Sequence, residues 1–311
     1  MTDKIPLLID TDPGVDDALA LLMAFNDTRH EVVGLTIAAG NVGLQHTVAN
    51  ALKLCEVVGA QVPVFAGCVA PLLHPARDAA YVHGRDGFGD VGYTPATRSV
   101  EAEHAALAIL RLSHAHAGRL LLVALGPLTN LALALKLDPS LPSRVARLVV
   151  MGGAVSAHGN ISAAAEFNVA FDPEAAHLVF EAFPAFDLAD WEATIAHGLH
   201  HPSVVEWLAA DSERARFYEA ISRKTREWSA DRRGDHWHSA DGLAMAYALH
   251  PDGAAETAER PVAVELAGRL ARGATIVDWN RQEGRPDNAR ILLRYDQGRF
   301  ETLVREALAR R

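Results

Sequence analysis

Short apolar runs alternate with segments of helical period along most of this chain, and that alternation leaves it few folds to adopt. Residues 6–10, 32–38, 62–65, 120–125 and 148–151 are short, rich in Val, Ile and Leu, and bounded by Gly, Pro or Asp, as buried strands are. Between them, Val48, Ala51, Leu52, Cys55 and Val58 recur at three- and four-residue steps, and further helical segments cover residues 102–117 and 128–136. Parallel strands need a crossover between them. The alternation therefore predicts an α/β fold: a doubly wound, mostly parallel, Rossmann-like sheet with helices on both faces. Residues 189–235 turn helical and more charged, and Asp241 opens another helix. Strands return over residues 261–265, 274–277 and 291–295, before a closing amphipathic helix. No Ser/Gly-rich linker, low-complexity tract or internal repeat interrupts the sequence. Residues 1–311 are expected to form one domain with a helical insertion.

Open sheets of this kind bind ligands beyond the carboxyl ends of their strands. The polar signatures stand there. Asp10 closes the first predicted strand, Gly40-Asn41 follow the second, Gly126-Pro127 a later one and Gly152-Gly153 another. The strongest signature is Leu7-Leu8-Ile9-Asp10-Thr11-Asp12-Pro13-Gly14-Val15-Asp16-Asp17, which puts four carboxylates into one strand end, one tight turn and one helix start. A helix N-terminus accounts for Asp16 or Asp17 alone. It does not account for four, because like charges packed together repel and raise each other's pKa. A divalent cation relieves that cost, and carboxylate oxygens select Ca²⁺ or Mg²⁺ over Zn²⁺.

The Asp10–Asp17 block resembles the opening motif of the nucleoside hydrolase family, inosine–uridine preferring type. Further matches follow in order. They are Gly40-Asn41, His83-Gly84 in a His-Gly-x-x-Gly loop, Leu125-Gly126-Pro127-Leu128-Thr129-Asn130 and Met151-Gly152-Gly153. Then come Gly159-Asn160 through Glu166-Phe167-Asn168, Asp172-Pro173-Glu174-Ala175-Ala176, Asp241, Pro261-Val262 and Gly273-Ala274-Thr275, so the resemblance spans nearly the whole chain.

The resemblance implies hydrolysis of the N-glycosidic bond of a ribonucleoside. It implies a Ca²⁺ ion at the pocket floor, binding the nucleophilic water and two ribose hydroxyls, with Asp12 and Asp17 as carboxylate ligands. Asp241 would join from the far side and Leu125 through its backbone carbonyl, while Asp12 also serves as general base. Asp10 then orients the ligands from behind. Asp16, Asn41, Asn160, Glu166 and Asn168 would hold the ribose, whose hydroxyls both donate and accept. Glu166 and Asn168 flank Phe167, so an extended segment would turn both to one side. His83 is expected at the base or the 5′-hydroxyl. A homo-oligomer, dimer or tetramer, is implied as well. Asp172-Pro173-Glu174 is explained by an N-cap, a first-turn proline and a first-turn acid, and carries no chemistry. Asp241, preceding Gly242-Leu243-Ala244, also has the sequence position of an N-cap.

One departure from the pattern bears on substrate. In pyrimidine-accepting members a histidine just before the late aspartate helps to protonate the departing base; here that residue is Ala240. His236 and His238 become the candidate leaving-group contacts, with Tyr81, Trp191, Trp228 and Trp237 as candidates for stacking. Purine ribonucleosides are the expected substrates. The same alanine keeps open a second reading, a nucleoside-binding protein impaired in catalysis. A phosphotransfer enzyme with an Asp-x-Asp nucleophile fits poorly with Pro13-Gly14 directly after the second aspartate.

The net charge of −10, with no basic patch, argues against nucleic-acid or membrane-surface partners. The two cysteines, Cys55 and Cys68, form no Cys-x-x-Cys pair, which argues against a disulfide framework or zinc ribbon. The first apolar stretch is too short for a secretory signal, and no run approaches membrane-spanning length. A cytoplasmic protein is the expectation.

Overall fold

Successive side chains along a strand point to opposite faces, and in this chain both faces are apolar. In the computed structural model, which describes residues 4–310, the strands are β1 (Ile5–Thr11), β2 (His30–Ile37), β3 (Val64–Ala66), β4 (Leu120–Ala124), β5 (Val145–Met151) and β6 (Phe186–Ala189). They continue with β7 (Leu199–His200), β8 (His236–Trp237), β9 (Ala254–Arg260), β10 (Val262–Val264), β11 (Thr275–Val277) and β12 (Ala289–Tyr295). Leu7, Ile9, Leu35, Ile37, Val123 and Val149 pack with the helices Val15–Asn26, Leu44–Val57, Ala240–Leu249 and Gln297–Ala309. Leu8, Leu122, Ala124, Leu148 and Val150 face the other way, onto the helices Ala105–Ala115, Thr129–Leu137 and Pro173–Ala182. The near-continuous apolar runs are what a sheet covered on both sides requires.

The central sheet has eight strands in the order β3-β2-β1-β4-β5-β6-β12-β9. Its neighbours pair in parallel except at one edge, where β9 runs antiparallel to β12. The chain steps from β1 to β2 on one side and later returns to β4 on the other. The strand order reverses between β1 and β4, and a crevice opens beyond their carboxyl ends.

Residues 261–265 and 274–277 do form strands, β10 and β11, but these pair only with each other, apart from the central sheet. The expected helical segment 189–235 resolves into helices Trp191–Ala196, His201–Leu208 and Glu213–Arg233, with β7 and β8 paired beside them. Asp190 and Ser212 cap the first and last of these helices through their side chains. The long helix Glu213–Arg233 packs against Val15–Asn26, which sets one wall above the carboxyl end of β1. Among the described residues no helix is long and apolar enough to cross a membrane.

Candidate active site

β1 carries Asp10 at its end and Asp12 just beyond it. Gly14 is the N-cap of the next helix, which leaves Asp16 and Asp17 in its first turn. Asp241 arrives from the helix Ala240–Leu249. Its N-cap position is held by Ser239, so the sequence position that suggested capping for Asp241 misplaces the boundary by two residues. The Asp241 carboxylate is left for other work. The two helices pack together, and one carboxylate oxygen each from Asp16, Asp17 and Asp241 lies within 4.8 Å of the others.

The partners of these acids divide into a held side and an open side. Asp12 Oδ2 accepts the Asn41 backbone N–H at 2.7 Å, whereas its Oδ1 is buried without a hydrogen-bond partner. Asn41 Nδ2 donates to the Asp12 carbonyl at 3.2 Å and to Asp17 Oδ2 at 2.9 Å, so one amide ties two acids together. Asp17 also accepts from the Thr11 hydroxyl and, at 3.0 Å, from the Gly14 N–H. Asp10 Oδ2 accepts from Thr36 Oγ1 at 2.6 Å and Asn130 Nδ2 at 3.0 Å. Asp16 Oδ1, like Asp12 Oδ1, is buried and unpartnered. A Cβ on Gly40 or Gly126 would collide with the Asp12 carboxylate, which explains glycine at both strand ends.

Burial dominates the electrostatics, and mutual repulsion adds to it. Desolvation lifts Asp10 to about 7 and Asp16 to about 6. Burial, then the charge of Asp17, holds Asp12 well above the usual carboxylate range. Asp17 is raised by burial and by Asp16. Asp241 is pushed well up by burial and then by Asp16, Asp17 and Asp12. Five acids, all-oxygen donors and three orphaned carboxylate oxygens, on Asp10, Asp12 and Asp16, suit a hard divalent cation. Asp12, Asp17 and Asp241 would hold it with the Leu125 carbonyl, which Asn168 Nδ2 steadies at 2.7 Å. Asp16, expected only at the sugar, stands in the same tight group of oxygens as Asp17 and Asp241.

Above this floor lies a cavity of about 370 Å³, and Asp16, Asn41, His83, Asn160, Glu166 and Asn168 all line it. Glu166 does not lie in the extended segment that its spacing suggested. It caps the short helix Phe167–Phe171, taking the N–H groups of Asn168 at 2.9 Å and Val169 at 3.2 Å. It also accepts from the Gly153 N–H at 2.9 Å, and burial raises it to about 7. An acid two and three positions before free backbone donors is drawn to them locally. Asn160 Oδ1 accepts the Phe167 N–H at 2.8 Å. His83 Nδ1 accepts the Val15 N–H at 3.1 Å, so the ring's own N–H is on Nε2; burial lowers its pKa to about 4 and keeps it neutral. Asp172 caps its helix through Oδ1 and Ala175 N–H at 3.1 Å, with Pro173 and Glu174 in the first turn, as the sequence indicates.

The opposite wall is where sequence reasoning fell short. Thr225, Trp228, Ser229, Arg232 and Arg233 line the cavity from one face of the helix Glu213–Arg233. Their spacing of three and four residues was the available signal. Tyr81, Trp191, Trp228 and Trp237 all reach the cavity. The two histidines separate. His238 lines the cavity and is kept neutral, near pKa 4, by burial and then by Arg233, whereas His236 is exposed and points to the outer side of β8.

Comparisons with known proteins bear on the fold and the family. A family model described as inosine-uridine preferring nucleoside hydrolase matches residues 7–302. The non-specific ribonucleoside hydrolase RihC of Salmonella enteritidis is 35% identical over 309 residues, covering 99% of each chain. Among solved structures, a plant nucleoside hydrolase superposes with a TM-score of 0.93 at 29% identity over 99% of this chain and 100% of that one. An inosine-guanosine nucleoside hydrolase superposes at 0.91 with 30% identity, covering 98% and 99%. A purine-preferring ribonucleoside hydrolase from Gardnerella vaginalis superposes at 0.90 with 27% identity, covering 98% of both chains.

Proposed function

The chain belongs to the inosine-uridine preferring nucleoside hydrolase family and is a ribonucleoside hydrolase, and we propose that Asp12 is its general base and Ca²⁺ its metal. The observation that carries this reading is the set of buried, unpartnered oxygens, Asp10 Oδ1, Asp12 Oδ1 and Asp16 Oδ1, in a cluster of mutually repelling acids whose Asp16, Asp17 and Asp241 oxygens lie within 4.8 Å of one another. A Ca²⁺ ion there would offset the carboxylate charge and lower the pKa of a water beside it, which eases deprotonation by a neighbouring carboxylate.

The protein's own groups divide the remaining work. Asn41 fixes Asp12 through Oδ2, which leaves Oδ1 to take the proton. Asp16 and Asn168 face the sugar hydroxyls from the cavity wall. The C1′–N bond breaks with its electron pair going to the base. The water oxygen joins C1′, and one proton equivalent returns from solvent to the base. Purine ribonucleosides are the proposed substrates, because the aromatic wall of Trp191, Trp228 and Trp237 offers a broad stacking surface.

A panel of purine and pyrimidine ribonucleosides, assayed for free base with and without chelator, tests the reading. Turnover should vanish with chelator and return with Ca²⁺. Calcium should also raise Tm, since at roughly a hundredfold excess over Kd a bound ligand contributes about 2.7 kcal/mol. Asp241→Asn should weaken that shift. An unchanged Tm in the wild-type protein would remove Ca²⁺ from the account.

A neutral His238 and an outward His236 make poor proton donors. A general acid contributes about 10²- to 10⁴-fold. We therefore expect His236→Ala and His238→Ala each to retain more than about a tenth of wild-type kcat/KM on inosine. The ratio of inosine to p-nitrophenyl riboside, whose leaving group needs little protonation, checks this. A hundredfold fall in that ratio for either variant would restore it as the acid.

A further inference from the structure

We propose that Arg233 reads the departing base as a 6-oxopurine, donating from its guanidinium to O6 and N7; the inference rests on the hydrolase reading and names its substrate class. Arg233 is the last residue of the helix Glu213–Arg233, half-buried on the cavity wall. Its Cζ lies 4.6 Å from the ring centroid of Trp191 and 5.7 Å from that of Trp228. Stacking on ring faces holds the guanidinium plane while leaving its in-plane N–H groups available. Among the described residues none accepts a hydrogen bond from those groups and no carboxylate lies within 4.0 Å of them, although the charge of Asp16 attracts the guanidinium from further across the cavity. Neighbouring arginines differ: Arg226 donates to Ser222 Oγ and Arg232 to the Trp228 carbonyl.

The same wall holds two more polar atoms. Ser229 Oγ, one turn before Arg233, is buried, lines the cavity and has no partner, and the buried Trp237 Nε1, also at the cavity, has only the Tyr218 hydroxyl near it. An indole N–H only donates. The wall is thus rich in donors, whereas the floor is rich in carboxylate acceptors. A ligand matching both has hydroxyls at one end and a plane edged with acceptors at the other. Hypoxanthine and guanine present adjacent O6 and N7 acceptors, the pair that an arginine fork fits. Adenine puts an amino donor at position 6, against the guanidinium, and pyrimidines have no N7.

The chemistry of departure points the same way. When the C1′–N9 bond breaks, its electron pair enters the purine, and the charge spreads to N7 and O6. A fixed cation there stabilises charge as it develops. That supplies at Arg233 what Ala240 does not.

The test compares kcat/KM of the Ca²⁺-supplemented protein for inosine, guanosine, adenosine and p-nitrophenyl riboside, in wild type, Arg233→Met and Arg233→Lys. Wild type should favour inosine over adenosine by about 10- to 100-fold, the discrimination typical of one bidentate arginine pair. Both variants should lose most of that ratio, and the ratio of inosine to p-nitrophenyl riboside should fall with it. Lysine keeps the charge but not the fork, so it serves even if the methionine variant folds poorly. With wild type, 7-deazainosine should reproduce the loss. A wild type that hydrolyses adenosine as well as inosine, or variants in which all substrates fall in parallel, overturns the assignment of Arg233 alone. A wild type that releases no base from any ribonucleoside overturns the hydrolase reading and this one with it.

Discussion

Asp12→Asn is expected to lower kcat/KM for a ribonucleoside by about 10²- to 10⁴-fold, the range for losing a general base, in a protein that folds at least as stably. The amide preserves shape and still accepts the Asn41 N–H, which Asp12 Oδ2 accepts at 2.7 Å. It takes no proton, so the water loses its base. Stability should move the other way. Asp12 is held well above the usual carboxylate range by burial and by the charge of Asp17. Its ionised form therefore destabilises the folded state at neutral pH, and the neutral amide removes that term. Initial rates paired with thermal unfolding in chelator separate the two effects. Wild-type-like turnover in this variant would sink the mechanism. Lost activity with a lowered Tm would instead indicate a damaged floor.

The second large effect concerns the sugar. We expect 2′-deoxyinosine to be hydrolysed less efficiently than inosine by as much as ~10⁴-fold, the rejection achieved by sites built to bind a hydroxyl. The reason is the orphaned Asp16 Oδ1, buried beside Asp17 and Asp241. A sugar without the hydroxyl leaves that oxygen unanswered, at the full desolvation cost of a charged group. Intrinsic reactivity opposes this ordering. The transition state resembles an oxocarbenium ion, and deleting the electron-withdrawing 2′-oxygen makes it easier to reach. Discrimination against the deoxynucleoside therefore has to come from the protein. Equal efficiencies on the two substrates would refute the role given to Asp16.

Much of this was legible in the residues because the relevant physics is local. The strands from β1 to β5 announce themselves as apolar runs, since burial on both sheet faces leaves little room for polar side chains. The Asp10–Asp17 block could be read as a cation site because its crowding lies within one turn of chain. Two strands of the central sheet were missed for identifiable reasons. In β6, Asp187 interrupts the apolar run, and only the fold reveals that Arg147 and Arg290 pair with it. In β9 most side chains are exposed, as suits an edge, so no alternation marks it. Asp241 and Glu166 show a finer limit, since one turned on a helix boundary shifted by two residues and the other on a helix, Phe167–Phe171, too short for any period to announce. Arg233 and Ser229 were invisible for a different reason. Their meaning depends on which face of a surface-like, charged helix turns inward, and packing against distant elements decides that.

The floor of the site joins an early stretch of the chain to a helix made long afterwards, and that would give a bound ion a role in motion as well as in chemistry. A nascent chain exposes Asp10 to Asp17 early, but Asp241 docks only once the helix Ala240–Leu249 has settled against Val15–Asn26. Until then the acids have no counterpart, and when they meet they repel. A cation bridging Asp17 and Asp241 would act as a clasp across that seam, so the free energy for local opening of the late helix would rise with ion concentration. Amide hydrogen exchange should record it: protection in Ala240–Leu249 would climb with added Ca²⁺, while strands remote from the seam keep their rates.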